Sequence, residues 1–319
     1  MRILVTGGAG YIGSVMTDVL IDGGHDVTIL DNLSRGHRDA VPRCATFIEG
    51  DLKDTPLVAD ALKQHGIEAV IHMAGAALVG ESMEDPGAYY RTNVVAGLSL
   101  LDAMLGAGVR SIVFSSTCAV YGVPEKTPLD EGMPTRPINP YGESKLAFER
   151  ALAWFAAAHE FKVTALRYFN AAGASERSGE RHDPETHLIP LVLAAAAGTR
   201  DAVTVFGVDY PTRDGTCVRD YIHVLDLADA HLLALQRQDP RMGIYNLGCG
   251  GDGHTIREVI DCAARVTGRQ IPTVIGPRRP GDPPVLVAAS DKARRELGWK
   301  PRRERLEMMV ESAWRWMRR

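Results

Sequence analysis

Two residues that could together remove a proton near neutral pH lie in the segment from Asn139 to Lys145. Tyr141 and Lys145 are four positions apart, and residues with this spacing share one face of an α-helix. An ammonium group beside a tyrosine favours the phenolate, whose pKa is about 10 in free tyrosine. The spacing makes Tyr141 a candidate general base. A surface lysine beside a half-buried tyrosine has the same spacing, so the pair needs independent support.

A glycine-rich turn near the start of the chain supplies that support. Gly7, Gly10 and Gly13 follow an apolar segment at residues 3–6 and precede an amphipathic segment, which is the strand–turn–helix context of a dinucleotide fingerprint. A helix N-terminus offers free amides to a pyrophosphate. Asp31 ends the second predicted strand, where a carboxylate binds the adenosine ribose and repels a 2′-phosphate. NAD is therefore favoured, although Arg35 keeps NADP open.

These residues require an α/β framework, and the first 170 residues predict one. Short apolar runs alternate with amphipathic segments, which is typical of βαβ units around a Rossmann-like, doubly wound parallel sheet. Asn139 and Pro140 suit the cap and first position of a helix. The strands are predicted at residues 3–6, 26–30, 46–49, 69–73, 112–115 and 163–167, and the helices at 13–22, 57–65, 86–105 and 140–159.

Beyond Asn170 the composition and the length of the predicted elements change. Residues 171–185 are rich in Gly, Ser and charge, and the later elements are shorter, with clustered Pro and Arg. This predicts an NAD-binding domain at residues 1–170 and a smaller mixed α/β substrate-binding domain at 171–319. A predicted helix at 224–236 and strand at 244–247 return the segment 223–247 to the first sheet.

Composition excludes several function classes. The 319 residues are 45% hydrophobic and 24% charged, as in ordinary globular proteins, and the formal net charge of −4 gives no basic field for nucleic acid. The five cysteines lack Cys-x-x-Cys spacing, which indicates reduced thiols. Histidine spacing predicts no metal site.

The same considerations predict a cytoplasmic protein that does not enter membranes. No signal-like start and no apolar run of about 18 residues is found. The arginine-rich tail carries apolar residues at helical spacing from Leu306 to Met317, which would also suit a membrane-surface helix. Docking of that apolar stripe on the core is the favoured interpretation.

With these motifs in view, the chain resembles the extended short-chain dehydrogenase/reductase family, and within it the NAD-dependent epimerase/dehydratase branch. The resemblance runs nearly end to end. Its segments include Thr6-Gly-Gly-Ala-Gly-Tyr-Ile-Gly-Ser14, Gly50-Asp-Leu52, His72-Met-Ala-Gly75, Tyr141-x-x-x-Lys145, Arg167-Tyr-Phe-Asn-Ala-Ala-Gly173, Pro184-Glu-Thr-His-Leu-Ile-Pro190, Val218-Arg-Asp-Tyr-Ile-His-Val224 and Arg278-Arg-Pro-Gly-Asp282.

The resemblance implies NAD-dependent 4-epimerisation of a UDP-sugar, foremost UDP-glucose and UDP-galactose, in an isomerase that is often a homodimer. Tyr141 would take the proton of the sugar O4, Lys145 would bind the nicotinamide ribose, and Thr117 would orient O4 by a hydrogen bond. Hydride would leave C4, and the 4-keto sugar would rotate before hydride returns to its other face. The implied cofactor contacts are Gly7, Gly10, Tyr11, Ile12, Gly13, Asp31, Asn32, Asp51, Leu52, Met73, Ala74, Gly75, Thr92, Ser115, Lys145, Tyr168 and Phe169.

The resemblance also implies a set of nucleotide-sugar contacts. Arginines suit a diphosphate because the planar guanidinium pairs with its oxygens. The set comprises Thr117, Tyr141, Asn170, His187, Leu188, Thr204, Val205, Phe206, Arg219, Arg279, Asp282 and Leu286.

Departures from the family pattern keep alternatives open. Ala77 replaces a common lysine near the cofactor phosphates, and His187 replaces a common asparagine. Leu286 occupies the position that gates sugar size, so UDP-N-acetylhexosamines, UDP-pentoses and UDP-hexuronates remain possible substrates. Dehydratases of this fold place Asp-Glu after the active-site threonine, whereas Thr117 is followed by Cys118 and Ala119. A non-catalytic NAD-binding regulator would not need the Tyr141/Lys145 pair, so both alternatives are disfavoured.

Overall fold

The computed structural model describes residues 1–237, 239, 241–279 and 282–319, and it is built on a seven-stranded sheet. The strand order is β11-β6-β5-β4-β1-β2-β3, and every adjacent pair is parallel. The strands of the molecule are β1 Arg2–Thr6, β2 Asp26–Asp31, β3 Thr46–Glu49, β4 Ala69–His72, β5 Ser111–Thr117, β6 Lys162–Tyr168, β7 Asn170–Ala172, β8 Val203–Phe206, β9 Val218–Arg219, β10 Tyr221–His223, β11 Gly243–Leu247, β12 His254–Thr255, β13 Thr273–Gly276 and β14 Val285–Leu286.

Helices cover both faces of the sheet because the central strands are apolar on both sides. Ile3 and Val5 of β1 pack in one core, whereas Leu4 packs in the core on the other face. The helices are α1 Tyr11–Asp22, α2 Thr55–Gln64, α3 Val79–Glu84, α4 Pro86–Tyr90, α5 Ala96–Ala107, α6 Pro140–His159, α7 Leu188–Ala197, α8 Val224–Leu235, α9 Ile256–Thr267, α10 Asp291–Glu296 and α11 Leu306–Met317.

The Rossmann-like fold class predicted from the sequence is confirmed. The order reverses between β4 and β1, and ligands of open α/β sheets bind at the carboxyl ends of the strands at such a point. The predicted helix at residues 140–159 has the observed bounds, and the Asn139 side chain accepts a hydrogen bond from the Gly142 amide at 2.8 Å. The predicted helix at 86–105 is interrupted by a π-helical segment, Arg91–Val95.

The smaller region is assembled from short strands and the helices α7, α9 and α11. β8 pairs with β13, and β9 lies between β12 and β14. Residues of these helices form a separate apolar core that includes Val192, Val259 and Val310. β11 and α8 belong to the first sheet and its cover, so the chain crosses between the two regions more than once.

The C-terminal helix α11 docks on this smaller core. Leu306, Met309 and Val310 are buried, whereas Met317 at the end of the stripe is 40% exposed. Among the described residues, no helix combines the length and apolar character needed to cross a membrane.

Candidate functional site

The glycine turn between β1 and α1 is shaped so that a ligand can approach its backbone. Gly7 has a φ of +73°, and a Cβ there would lie 2.6 Å from the Ala74 amide nitrogen. A Cβ at Gly13 would lie 2.0 Å from the Gly7 carbonyl oxygen. Only glycine fits either position. Gly10 precedes α1, so the amide-rich N-terminus of a twelve-residue helix faces the turn, which is suited to an anionic pyrophosphate.

Acidic and amide side chains follow β2 and β3 at the same edge. Asp31 accepts hydrogen bonds from the Ala9 amide at 3.0 Å and the Leu33 amide at 2.8 Å, and the remaining lone pairs of its carboxylate can accept hydroxyl groups. Asn32 donates to the Asp51 carboxylate at 3.2 Å. Leu52 is buried beside Asp51. This arrangement fits an adenosine ribose and base.

Arg35, the residue that kept NADP open, has other partners. Its guanidinium donates to the Asp183 carbonyl at 2.7 Å and forms an ion pair with Glu81 at 2.7 Å. Arg35 is therefore engaged, whereas the Asp31 carboxylate stays at the end of β2. The local charges favour a ribose with a free 2′-hydroxyl over a 2′-phosphate.

Thr117 and Tyr141 come together where β5 ends and α6 begins. Burial raises the pKa of Tyr141 well above its usual range, the neighbouring Tyr168 adds to this, and a hydrogen bond with Thr117 opposes it. The Tyr141 ring also packs edge-on against Tyr89, with centroids 6.3 Å apart. The sequence predicts that Lys145 and the cationic nicotinamide together lower this pKa. Among the protein's own groups, burial has the largest influence on it.

Lys145 is buried on the same helix. Its ammonium donates to the Ser115 carbonyl at 3.1 Å and lies 5.0 Å from the centre of the Phe114 ring. Burial lowers the pKa of Lys145 to about 8, and the charge of Glu149 opposes the shift. A Cβ on Gly75 would lie 3.1 Å from the Lys145 Nζ, so this lysine reaches the segment after β4.

The remaining predicted cofactor residues line the same edge. Met73, Ala74 and Gly75 follow β4, Tyr168 ends β6 beside Ser115, and Phe169 follows β6. Thr92 lies in the π-helical segment. The adjacent Asn93, which sequence reasoning missed, donates to Ser144 of α6 at 2.9 Å and accepts from the Ala76 amide at 2.8 Å. It ties the loop after β4 to the helix that carries Tyr141.

A buried ion pair beneath these groups was also missed. Arg167 and Glu149 are 4% and 3% exposed and lie 2.5 Å apart. Ser116 donates to Glu149 at 2.5 Å, and Arg167 donates to Tyr121 at 3.0 Å. The network joins β5, α6 and β6 one helical turn below Lys145. No local sequence pattern predicts this network, because its residues are distant from one another in sequence.

The predicted diphosphate-binding residues lie in the smaller region. Arg219 on β9 forms an ion pair with Asp282, and its side chain is 11% exposed. The Arg279 guanidinium lies 4.2 Å from the centre of the Phe206 ring. Residues 280 and 281 of the Arg278–Asp282 motif lie outside the described residues.

Arg219 is close to the catalytic edge. Burial raises the pKa of the Cys118 thiol to about 12, and the charge of Arg219 opposes this shift. Cys118 directly follows Thr117, so the charge of Arg219 acts on the end of β5. The neutral thiol is a poor acid or base near pH 7.

The other predicted substrate residues differ in orientation. Asn170 donates to the Asp220 carbonyl at 2.8 Å, and Leu188 begins α7. On β8, Thr204 and Phe206 are partly exposed, whereas the Val205 side chain is buried in the small core. Leu286 pairs with Arg219 in register.

His187 lies in a grouping that the sequence analysis did not predict. Its Nδ1 is 2.8 Å from a Glu180 oxygen and 2.9 Å from a Glu185 oxygen, and His182 approaches the same Glu180 oxygen at 2.9 Å. Burial lowers the pKa of His187, but both carboxylates outweigh it and raise the value to about 10. The signal was present as Glu-x-His-x-x-Glu-x-His, residues 180–187.

The reversed sheet order, the glycine turn, the buried Thr117 and Lys145 and the partly buried Tyr141 define a dinucleotide-binding α/β protein. Residues 3–248 match the model of the NAD dependent epimerase/dehydratase family. The chain belongs to that family.

Relatives with known names agree. A UDP-glucose 4-epimerase of Corynebacterium glutamicum is 52% identical over 315 residues, which cover 98% of this chain and 95% of the relative. The crystal structure of UDP-glucose 4-epimerase from Brucella ovis in complex with NAD has a TM-score of 0.95 at 46% identity, covering 98% and 97% of the two chains. The UDP-Glc/GlcNAc 4-epimerase of Campylobacter jejuni has a TM-score of 0.86 at 40% identity, with 99% of each chain covered.

Proposed function

We propose that this protein is an NAD-dependent isomerase that interconverts UDP-galactose and UDP-glucose by inverting C4 of the sugar. The observation that carries the proposal is the hydrogen bond between Tyr141 and Thr117 at the start of the helix that also carries the buried Lys145, on a sheet with a glycine turn. NAD, when bound, accepts a hydride from C4 and returns it. Relatives that cover nearly the whole chain carry this name.

Each side chain has a distinct part in the proposal. Tyr141 removes the proton from the sugar O4 and gives it back, while Thr117 orients O4 by a hydrogen bond. Lys145 has a pKa of about 8, so it is mostly charged at pH 7 and can stabilise the phenolate. Asp31 binds the adenosine ribose hydroxyls. Arg219 and Arg279 pair with the diphosphate.

The residues after Thr117 support epimerisation over 4,6-dehydration. Dehydration needs an acid and a base for C5 and C6, and Cys118 has a pKa near 12 while Ala119 carries no titratable group. The retained Tyr141 and Lys145 likewise argue for a catalyst over a non-catalytic NAD-binding regulator.

Leu286 supports a second substrate class. It is half-buried beside Phe169 and Tyr121, between the two regions. A leucine leaves more room than an aromatic residue would, and one structural neighbour is named as acting on both UDP-Glc and UDP-GlcNAc. UDP-N-acetylglucosamine therefore belongs in the substrate panel, with UDP-pentoses and UDP-hexuronates.

We further propose that the protein acts as a cytoplasmic homodimer in galactose metabolism. All five cysteines are free, which suits a reducing compartment. Neighbouring helices expose large apolar side chains, among them Trp154 at 75%, Met83 at 62% and Val95 at 50%. Light scattering with a Trp154→Glu variant tests the dimer, and an unchanged mass would contradict this interface.

A coupled assay tests the activity. UDP-galactose is the substrate, and UDP-glucose formation is followed by the NADH that UDP-glucose dehydrogenase produces. Heat-denatured protein should release NAD, which is measured enzymatically. Absence of turnover with every UDP-hexose, UDP-pentose and UDP-hexuronate would reject the proposed function.

A further inference from the structure

Four side chains of metal-ligand type converge between β7 and α7, on the segment that leads to the substrate-side helix. Glu180, His182, Glu185 and His187 each bring one ligand atom, and these atoms all lie within 4.8 Å of one another. The His187 Nδ1 is 2.8 Å from Glu180 and 2.9 Å from Glu185, and the His182 Nδ1 is 2.9 Å from Glu180 and 3.9 Å from Glu185.

These separations match a small tetrahedral ion. Metal–ligand bonds of roughly 2.0–2.1 Å place neighbouring nitrogen and oxygen ligands about 3.3 Å apart. The observed histidine–carboxylate distances of 2.8 to 3.9 Å bracket that spacing. Three of the four distances are 2.8–2.9 Å, so these groups would move slightly apart to share an ion.

The donor set selects the kind of ion. Two imidazole nitrogens with two carboxylates suit zinc and its d-block neighbours, whereas Mg²⁺ and Ca²⁺ prefer oxygen ligands alone. Four protein ligands complete a closed tetrahedral shell, which is typical of structural zinc. The exposure of the His187 side chain, 42%, leaves a route for an ion to enter.

Hydrogen bonding without a metal explains the grouping less well. The His187 Nδ1 carries at most one proton but lies within 2.9 Å of oxygens from two carboxylates. The His182 Nδ1 approaches the Glu180 oxygen that His187 already contacts. A cation at the centre satisfies all four groups at once.

We propose that Glu180, His182, Glu185 and His187 form a structural binding site for a divalent d-block ion, with Zn²⁺ the expected occupant. The His182 ring lies edge-on to Tyr11 of the glycine turn, with ring centroids 6.2 Å apart. Nearby, Arg35 donates to the Asp183 carbonyl at 2.7 Å and His37 contacts the Arg181 carbonyl at 2.8 Å. The ion would therefore fix the segment over the glycine turn and hold the start of α7.

Metal titration of the full-length protein tests this proposal. After treatment with a chelator and dialysis, we expect it to take up about one Zn²⁺ per chain. Co²⁺ should give the intense visible bands of a tetrahedral centre, and Zn²⁺ should displace it. Millimolar Mg²⁺ should not.

Variants assign the ion to these residues. His182→Gln and His187→Gln should each weaken Co²⁺ binding by at least ~10-fold, the loss seen even for outer-shell partners. His65→Gln, at the end of α2, is the matched control and should bind normally. Circular dichroism checks that each variant is folded.

Two results would overturn the proposal. One is a wild-type protein that shows no tetrahedral Co²⁺ spectrum and retains no stoichiometric zinc, which would leave an ion-paired His–Glu cluster. The other is binding that survives in the His182→Gln/His187→Gln double variant. Both readouts are independent of epimerase turnover, so they separate this site from the proposed function.

Discussion

The two sides of the candidate site are built differently. Thr117, Tyr141 and Lys145 stand on long elements, the seven-residue β5 and the twenty-residue α6. Arg219 and Leu286 stand on two-residue strands, and Arg279 follows β13 in a loop. The catalytic side is thus part of the main framework, whereas the substrate side depends on short pairings.

The internal contacts differ in the same way. On the catalytic side, the buried Glu149–Arg167 pair contacts Ser116 and Tyr121, so its charges have a structural role. On the substrate side, Arg219 pairs with Asp282, which is itself an expected substrate contact. A diphosphate must share or take over that arginine. Under the proposed function, the groups for proton transfer are fixed in advance, whereas binding of the diphosphate would exchange the existing partner of Arg219.

The largest expected effect is on the catalytic side. Tyr141→Phe removes the proposed base, so kcat should fall about 10²- to 10⁴-fold, as is typical for general bases, while KM changes little. The coupled UDP-galactose assay measures both constants. Tyr90→Phe, at a 40% exposed tyrosine, is the control. Full activity in Tyr141→Phe would remove the proposed base.

The support beneath the catalytic side should appear in stability. Glu149→Gln leaves Arg167 charged and buried, so the free energy of unfolding should fall by about 3–5 kcal/mol. Glu143→Gln, whose side chain is 39% exposed on the same helix, should cost less than ~0.5 kcal/mol. Urea unfolding measures both. Equal losses in the two variants would show that the buried pair does not stabilise the framework.

The substrate side should respond through KM. Arg219→Met leaves Asp282 without its ion-pair partner and removes the planar guanidinium that would bind the diphosphate. The lost binding free energy should be roughly 2 kcal/mol or more, so KM should rise at least ~30-fold. Arg279→Met removes the second proposed diphosphate contact together with a cation–π contact over Phe206, and KM should rise by the equivalent of about 0.5–2 kcal/mol. Steady-state kinetics of both variants give the order. A larger change in kcat than in KM would contradict the division between the two sides.

The framework was predictable because its signals are local. The helix at residues 140–159 is marked by a capping Asn139 and by Pro140 at its first turn, and its bounds are the observed ones. The central strands are continuous apolar runs, as buried parallel strands must be. The spacing of Gly7 and Gly13 predicted a tight turn, and the structure gives the reason: a Cβ at either position would overlap backbone atoms.

The substrate side was less predictable because its elements exist only through distant partners. β9 pairs with β14, in which Val218 is opposite Val285, and two residues carry no periodicity. Asp220 accepts the amides of Cys249, Gly250 and Ala288, a set that no spacing links. The resemblance identified residues there, but the ion pair of Arg219 required the structure.

Lys145 offers a smaller, pH-dependent test of the catalytic side. Its pKa is about 8 in the folded chain and about 10.4 in an unfolded one, so between these values the unfolded state binds the extra proton. Stability should therefore rise with pH, by roughly 2–3 kcal/mol from pH 8 to pH 10. Above about pH 10 the raised pKa of Tyr141 reverses the trend.

The measurement compares urea unfolding of nucleotide-stripped wild type and Lys145→Met at pH 7, 8, 9 and 10. The variant lacks the titrating group and should not show the rise. Parallel profiles for the two proteins would mean that the ammonium is not destabilised by burial.

The smallest expected effect concerns the substrate side alone. Leu286 is half-buried beside Phe169 and Tyr121, so Leu286→Ala should open space near the sugar. The ratio of kcat/KM for UDP-N-acetylglucosamine to that for UDP-glucose should rise about 10-fold or more, since the loss of even one methylene can achieve that. Val285→Ala is the matched control, because adjacent strand residues point to opposite faces. If Val285→Ala shifts the ratio equally, substrate specificity depends on β14 as a whole. A short strand, and no single side chain, would then set the substrate preference.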